Sequence, residues 1–410
     1  MFKCKLGELL VVKHGYAFKS ENYVEKSEYG LVTLANISNS NDFKFNESKT
    51  TYYGGDFPEE FILEEDDLVM PLTEQVIGLF GNTAFIPKVK EVSHFVLNQR
   101  VGKVIPKKKK SDKYYLHYLL ATEGVKNQLE YRASGTRQRN ISPDDIYDVD
   151  VFIPEIESQV KIGKTLYELE KKINNNNRIN AELESMAKTI YDYWFLQFDF
   201  PNENGKPYKS SGGKMIWNEE LKREIPEGWR VGRLEEIADI TMGSSPKGES
   251  LNEENEGTIF YQGKTDFGYR FPNIRMYTKL PIRFAEVNDI LLSVRAPVGD
   301  INIADERCCI GRGLAAIRGK CQSFLFYLML SNKFQFDKYN TGGTTFGAIT
   351  KDDLLGLKII IPDDKIMDLF NSTVSIFDKM IFNNEKASKE LASLRDFLLP
   401  LLMNGQVGFK

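Results

Sequence analysis

One stretch of this chain occurs twice, and the repeat constrains every other reading. Residues 134–197 recur at 342–405 with a constant offset of 208. Gly135-Thr136 becomes Gly343-Thr344, Ile141 becomes Ile349, and Asp144-Asp145 becomes Asp352-Asp353. Ile153-Pro154 becomes Ile361-Pro362, Asn175-Asn176 becomes Asn383-Asn384, and Leu183 becomes Leu391. No insertion or deletion interrupts the register. Self-similarity is read before local signals. This period is far too long for a solenoid, so the chain carries two copies of a domain-plus-helix unit.

Each copy ends in a long helix. Apolar residues fall at Ile162, Leu166, Leu169, Ile173, Leu183 and Ile190, and again at Phe370, Val374, Phe377, Ile381, Leu391 and Leu398. This is the a/d seam of a coiled coil. Two seam places are polar in both copies, Asn176 and Asn180, then Asn384 and Ser388. A helix of about 40 residues rises about 60 Å, more than an ordinary domain needs. The expected arrangement is an antiparallel, pseudo-two-fold coiled coil. In that arrangement Asn176 meets Asn384, Ile162 meets Leu398 and Ile190 meets Phe370. The asparagines would then fix the register.

A chain of 410 residues exceeds one hydrophobic core. Its expected parts are a first domain at 1–154, a helix at 155–200, a connector at 201–224, a second domain at 225–362 and a second helix at 363–410. Short β-like runs separated by turn signals fill the domains, as at Leu68–Pro71 and Leu314–Ile317. The fold class is α+β, two duplicated mixed α/β domains separated by the helices. The longest apolar runs, such as Phe324–Leu330, are too short for a bilayer. There is no signal-peptide pattern, and the four cysteines lack CxxC spacing. The expected compartment is the cytoplasm.

The formal net charge of −4 does not advertise nucleic acid, but its distribution does. Residues 88–140 hold 13 Lys/Arg against 4 Asp/Glu, densest at Lys107, Lys108, Lys109 and Lys110. A basic face on an acidic protein suits phosphate binding. The plainer role of a lysine run is a solvated loop.

No pattern for chemistry stands out. Gly263-Lys264-Thr265 resembles the end of a P-loop, but five residues rather than four separate it from Gly257. The three histidines form no metal motif. The Asp363-Asp364 pair reads as an acidic first helical turn. No Asn/Asp-Pro-Pro-aromatic tetrapeptide occurs. These residues point to binding and assembly.

Several motifs give the chain a family likeness. They are Gly135–Ser142 (GTRQRNIS), Gly343–Thr350 (GTTFGAIT), Tyr193-Trp194-Phe195, the IPEGW run at 225–229, Ser293–Gly299 (SVRAPVG) and Ile310–Leu314 (IGRGL). In this order, with the duplication, the chain resembles specificity subunits of Type I restriction–modification enzymes. The resemblance implies two target recognition domains, each reading half of a bipartite site in double-stranded DNA. It implies an antiparallel coiled coil that sets the spacer, two docked modification (methyltransferase) subunits, and restriction subunits outside them. S-adenosylmethionine would sit in the partner and no cofactor in this chain, which would be non-catalytic. Asn98–Gly102 (NQRVG) stands where the second domain has Ile310–Leu314, so the two domains should read different half-sites. A fragment of a fused restriction–methylation enzyme and a two-domain scaffold that binds no DNA are the other readings.

The candidate DNA contacts are residue types that pair with base edges: Arg with guanine, Asn or Gln with adenine. In the first domain they are Arg137, Gln138, Arg139 and Asn140, beside the four lysines. In the second they are Lys264, Arg295, Arg312, Thr344 and Thr345. For any single arginine the competing role is a surface salt bridge.

Overall fold

The computed structural model describes residues 1–75, 77–340 and 347–408. The chain divides into two compact units, residues 1–175 with 387–410, and residues 176–386. Each unit takes one recognition-type domain and part of both long helices.

In the first unit a four-stranded sheet runs in the order Leu10–His14, Val101–Pro106, Leu68–Pro71, Ala84–Phe85. A five-stranded sheet runs Tyr23–Val24, Tyr52–Tyr53, Tyr29–Val32, His94–Leu97, Ile62–Leu63, with one parallel pair between Tyr29–Val32 and His94–Leu97. The second unit repeats both sheets. Its four strands are Ala238–Met242, Leu314–Gly319, Ile290–Ser293 and Ile301–Ile303. Its five are Leu251–Asn252, Met276–Thr278, Thr258–Tyr261, Cys308–Ile310 and Phe284–Ala285, again with the equivalent pair parallel. The central strands Leu68–Pro71 and Ile290–Ser293 are buried along their whole length. Strands covered on both faces are written as continuous apolar runs, as these are.

The repeated sequence motifs have structural reasons. Ser142 and Thr350 cap the short helices Pro143–Tyr147 and Lys351–Leu355, each accepting from the amide of Asp145 or Asp353 at 3.2 Å. The aspartates bond back to the cap residues, a reciprocal capping box. Ile153 and Ile361 end edge strands that pair with Phe2–Lys5 and Arg230–Arg233.

The long helices are Ile156–Tyr191 and Asp364–Met403. Asp363 caps the second through its Oδ1, which accepts from the Lys365 amide at 2.8 Å. That helix runs through Pro400 and closes at Gly405, whose φ is +68°. The Gln406 amide reaches Leu401 O at 2.9 Å and the Gly405 amide reaches Leu402 O, the two bonds of a Schellman ending. The first helix widens into a π-turn at Asp192–Leu196 before Phe198 turns the chain at φ +66°.

Within each unit the helices run antiparallel. In the first, Ile162 and Leu166 share a core with Leu398 and Leu402. In the second, Ile190 and Phe370 share a core, and the Tyr191 and Phe370 rings lie 5.9 Å apart. Asn176 Nδ2 donates to Asn384 O at 3.4 Å. The Asn384 side chain donates to Asn180 Oδ1 at 2.9 Å. Asn384 therefore contacts both Asn176 and Asn180 across the helix pair.

Each unit ties its domain to the helices by a different device. In the second, Arg270 is 2% exposed and spans both helices. It donates to Glu184 at 2.9 Å and to Asp378 at 2.6 Å, and lies 3.6 Å from the Phe326 ring centroid. In the first, Glu170 accepts from Tyr118 at 2.7 Å, with His117 Nε2 at 3.6 Å. Burial would raise the Glu170 carboxyl, but the nearby His117 ring and the bond from Tyr118 hold it below its usual range.

Candidate nucleic-acid interface

In the first unit three segments converge at one end of the four-stranded sheet. The Leu72 amide bonds Arg100 O at 2.9 Å, and the Ile141 amide bonds Leu72 O at 3.0 Å. Ser134 and Asn140 exchange backbone bonds of 2.9 and 2.8 Å, which closes 134–140 as a tight loop. Gly135 sits at φ +108°, and a Cβ there would meet Gln138 O at 2.2 Å, so the loop needs glycine. The result is an open cleft of about 530 Å³, lined by His14, Thr73, Gln99, Arg100, Gln138 and Asn140 among others.

The structure sorts the sequence candidates. Arg137 and Gln138 are exposed on the loop. Gln138 Nε2 lies 3.4 Å from Asn140 Oδ1, which also accepts from Thr73 Oγ1 at 2.8 Å. Arg139 is engaged within the protein. Its Nη1 lies 2.9 Å from Glu74, a carboxylate only 1% exposed, and 3.5 Å from Glu130. A buried carboxylate must be paired, so this guanidinium is held inward and is not presented to a ligand. Glu74 also accepts from the Leu79 and Phe80 amides at 3.0 and 3.3 Å, which anchors the neighbouring segment.

Lys107 is half-buried. Its ammonium binds Gly7 O and its amide binds Leu9 O at 2.7 Å, so it serves the fold. Lys108, Lys109 and Lys110 are exposed. They follow the far end of strand Val101–Pro106, whose near end meets the cleft at Arg100. At about 3.3 Å per residue that strand separates them from the cleft by roughly 20 Å. The lysines and the loop are therefore not one cluster.

The second unit builds the same junction. The Val294 amide bonds Gly313 O at 2.9 Å, and the Ile349 amide bonds Val294 O at 3.0 Å. Arg295 is exposed and bridges Ala348, the place that Thr73 and Asn140 fill in the first unit. Arg312 is exposed, and its amide donates to Ser245 Oγ at 3.2 Å. Lys264 is exposed, and its ammonium is ion-paired with Asp300, which Lys333 also contacts. Burial alone would raise the Asp300 carboxyl, but those two lysines hold it below the usual carboxylate range. Thr344 and Thr345 lie outside the described residues.

The strand registers also correct an alignment. Val101 pairs with Pro71 as Leu314 pairs with Ser293, and the Gly15 and Gly243 amides bond Val101 O and Leu314 O. Val101 is thus the equivalent of Leu314, and Gln99, not Arg100, is the equivalent of Arg312. The sequence comparison of NQRVG with IGRGL is one residue out of step. Gln99 and Arg100 are both exposed and were missed as site residues, Gln99 because the slip set it opposite Gly311.

Comparison with known proteins agrees with this architecture. The family model described as Type I restriction modification DNA specificity domain matches residues 2–185 and 226–392. The chain is 34% identical over 311 residues to a putative type I restriction enzyme MjaX specificity subunit of Methanocaldococcus jannaschii, covering 74% of this chain and 70% of that one. It is 23% identical to the HindI specificity subunit of Haemophilus influenzae, covering 80% and 84%. The crystal structure of a Type-I restriction-modification S subunit from M. genitalium superposes with a TM-score of 0.68 at 15% identity, covering 98% and 96%. Among the described residues no helix is long and apolar enough to cross a membrane.

Proposed function

Because the chain belongs to the type I restriction–modification DNA specificity family, we propose that each of its two domains reads one half of a bipartite site in double-stranded DNA. The observation that carries this reading is the repeated junction. Both domains set exposed Arg, Gln or Asn side chains on the same strand ends, while Arg139 and Lys107 bond within the fold. Base reading falls to Gln99, Arg100, Arg137, Gln138 and Asn140 in the first domain and to Arg295 and Arg312 in the second. Lys108–Lys110 would meet phosphates roughly six base pairs along the duplex, at about 3.4 Å each. The helices set the spacer and carry two methyltransferase subunits, with restriction subunits beyond them. S-adenosylmethionine binds in the methyltransferase, this chain is non-catalytic, and the complex acts in the cytoplasm.

Two kinds of contact separate in a binding experiment with the assembled complex. Changing Lys108, Lys109 and Lys110 to alanine should weaken binding to every sequence alike and flatten its salt dependence. Arg137→Ala should instead lower discrimination at the first half-site by about 1–3 kcal/mol, the worth of a bidentate base contact. If Arg137→Ala shifts all sequences equally, the loop holds phosphates and does not read bases.

A further inference from the structure

We infer that Gln99 and Arg312 are one specificity position occurring twice, reading an A·T pair in the first half-site and a G·C pair in the second. This rests on the reading that each domain binds a half-site, and it names which residue chooses the base. Three observations support it.

The backbone positions are equivalent. Gln99 and Arg312 each lie two residues before the paired strand that begins at Val101 or Leu314. Each lies two residues after the parallel strand ending at Leu97 or Ile310. The Tyr16 and Ser244 amides bond Leu97 O and Ile310 O, both at 2.9 Å, so the turn is anchored alike. Gly15 and Gly243 back against it so closely that a Cβ would lie 2.1 Å from Asn98 O or Gly311 O. The turn is therefore built to one shape in both units.

Both side chains are available. Gln99 and Arg312 are exposed, and Gln99 lines the first cleft. Arg139, by contrast, is held by the buried Glu74 carboxylate.

Their chemistry differs in the way that matters. The glutamine amide offers one donor and one acceptor, which matches N7 and the exocyclic amine of adenine. The guanidinium offers only donors, which match O6 and N7 of guanine. One scaffold with two heads would give two half-sites differing at the equivalent base pair.

The test is to sequence the motif methylated by the complete complex carrying Gln99→Arg, and separately Arg312→Gln. The expected result for Gln99→Arg is one position of the first half-site changing from A·T to G·C, with the second half-site unchanged. Arg312→Gln should make the reverse change in the second half only. Where a swapped complex does not methylate, Gln99→Ala and Arg312→Ala are assayed by binding to duplexes substituted one base pair at a time. Each should lose about tenfold or more of its discrimination at one base pair and keep it elsewhere. An unchanged motif in an active swapped complex, or alanine variants that keep full discrimination, overturns the inference. If Arg137→Ala also leaves the first half-site intact, the half-site reading itself fails. If Arg137→Ala relaxes it while Gln99 is silent, only this inference fails.

Discussion

Arg270→Met should destabilise the second unit by about 3–5 kcal/mol, the usual cost of removing one partner from a buried ion pair. The cation serves Glu184 and Asp378 together, and its own amide donates to Glu385 Oε1 at 3.1 Å. Burial pushes the Asp378 carboxyl up, and Arg270 is the charge that opposes this. Methionine fills the space against Phe326 but leaves two acids facing one another without a counter-ion. Adding Glu184→Gln and Asp378→Asn should recover part of the loss, because the stranded charges go too. Urea unfolding that follows the second unit measures this. A single variant within about 0.5 kcal/mol of the parent chain, the range of ordinary surface substitutions, would mean that Arg270 only decorates the junction.

Lengthening both long helices by one heptad should widen the gap between the two recognised half-sites and leave each half-site unchanged. Seven residues rise about 10 Å, or about three base pairs at roughly 3.4 Å each. The place for the insertion follows from the compact units, after Asn175 in the first helix and after Lys386 in the second. Both insertions are needed, because a heptad in one helix alone leaves its partner too short. The contacts from Asn384 to Asn176 and Asn180 lie wholly within one unit and should survive. Buried polar groups in a seam tolerate one pairing well and others poorly, which makes this trio suited to holding register. Sequencing the methylated motif of the lengthened complex gives the spacer directly. An unchanged spacer would remove the helices as its ruler.

The repeat, the two long helices and the antiparallel seam were legible because they rest on periodicity and self-similarity. The Asp pairs were legible as a repeat, but the short helices they belong to and the Ser142 and Thr350 boxes that cap them appear only in the structure. What escaped the sequence depends on distant partners. Strand Phe2–Lys5 pairs with Asp150–Ile153, at the other end of the first domain. Arg139 looked like a base reader until Glu74 was found against it. Lys107 looked like part of a basic run until its ammonium was found on Gly7 O. Residue type predicts which bonds a side chain can make, and only the fold decides which are already made. Gln99 failed differently. Its match to Arg312 was in the sequence, but a one-residue slip in a variable turn hid it, and strand register was needed to remove the slip.

The central claim is that the two domains read separate halves independently. The most direct measurement is the motif methylated by the complex assembled on this chain, compared with the motifs of Arg137→Ala and Arg312→Ala. The account predicts two specified segments separated by an unspecified gap. Arg137→Ala should blur one segment and Arg312→Ala the other. A continuous motif, or a single substitution that blurs both segments, would contradict it.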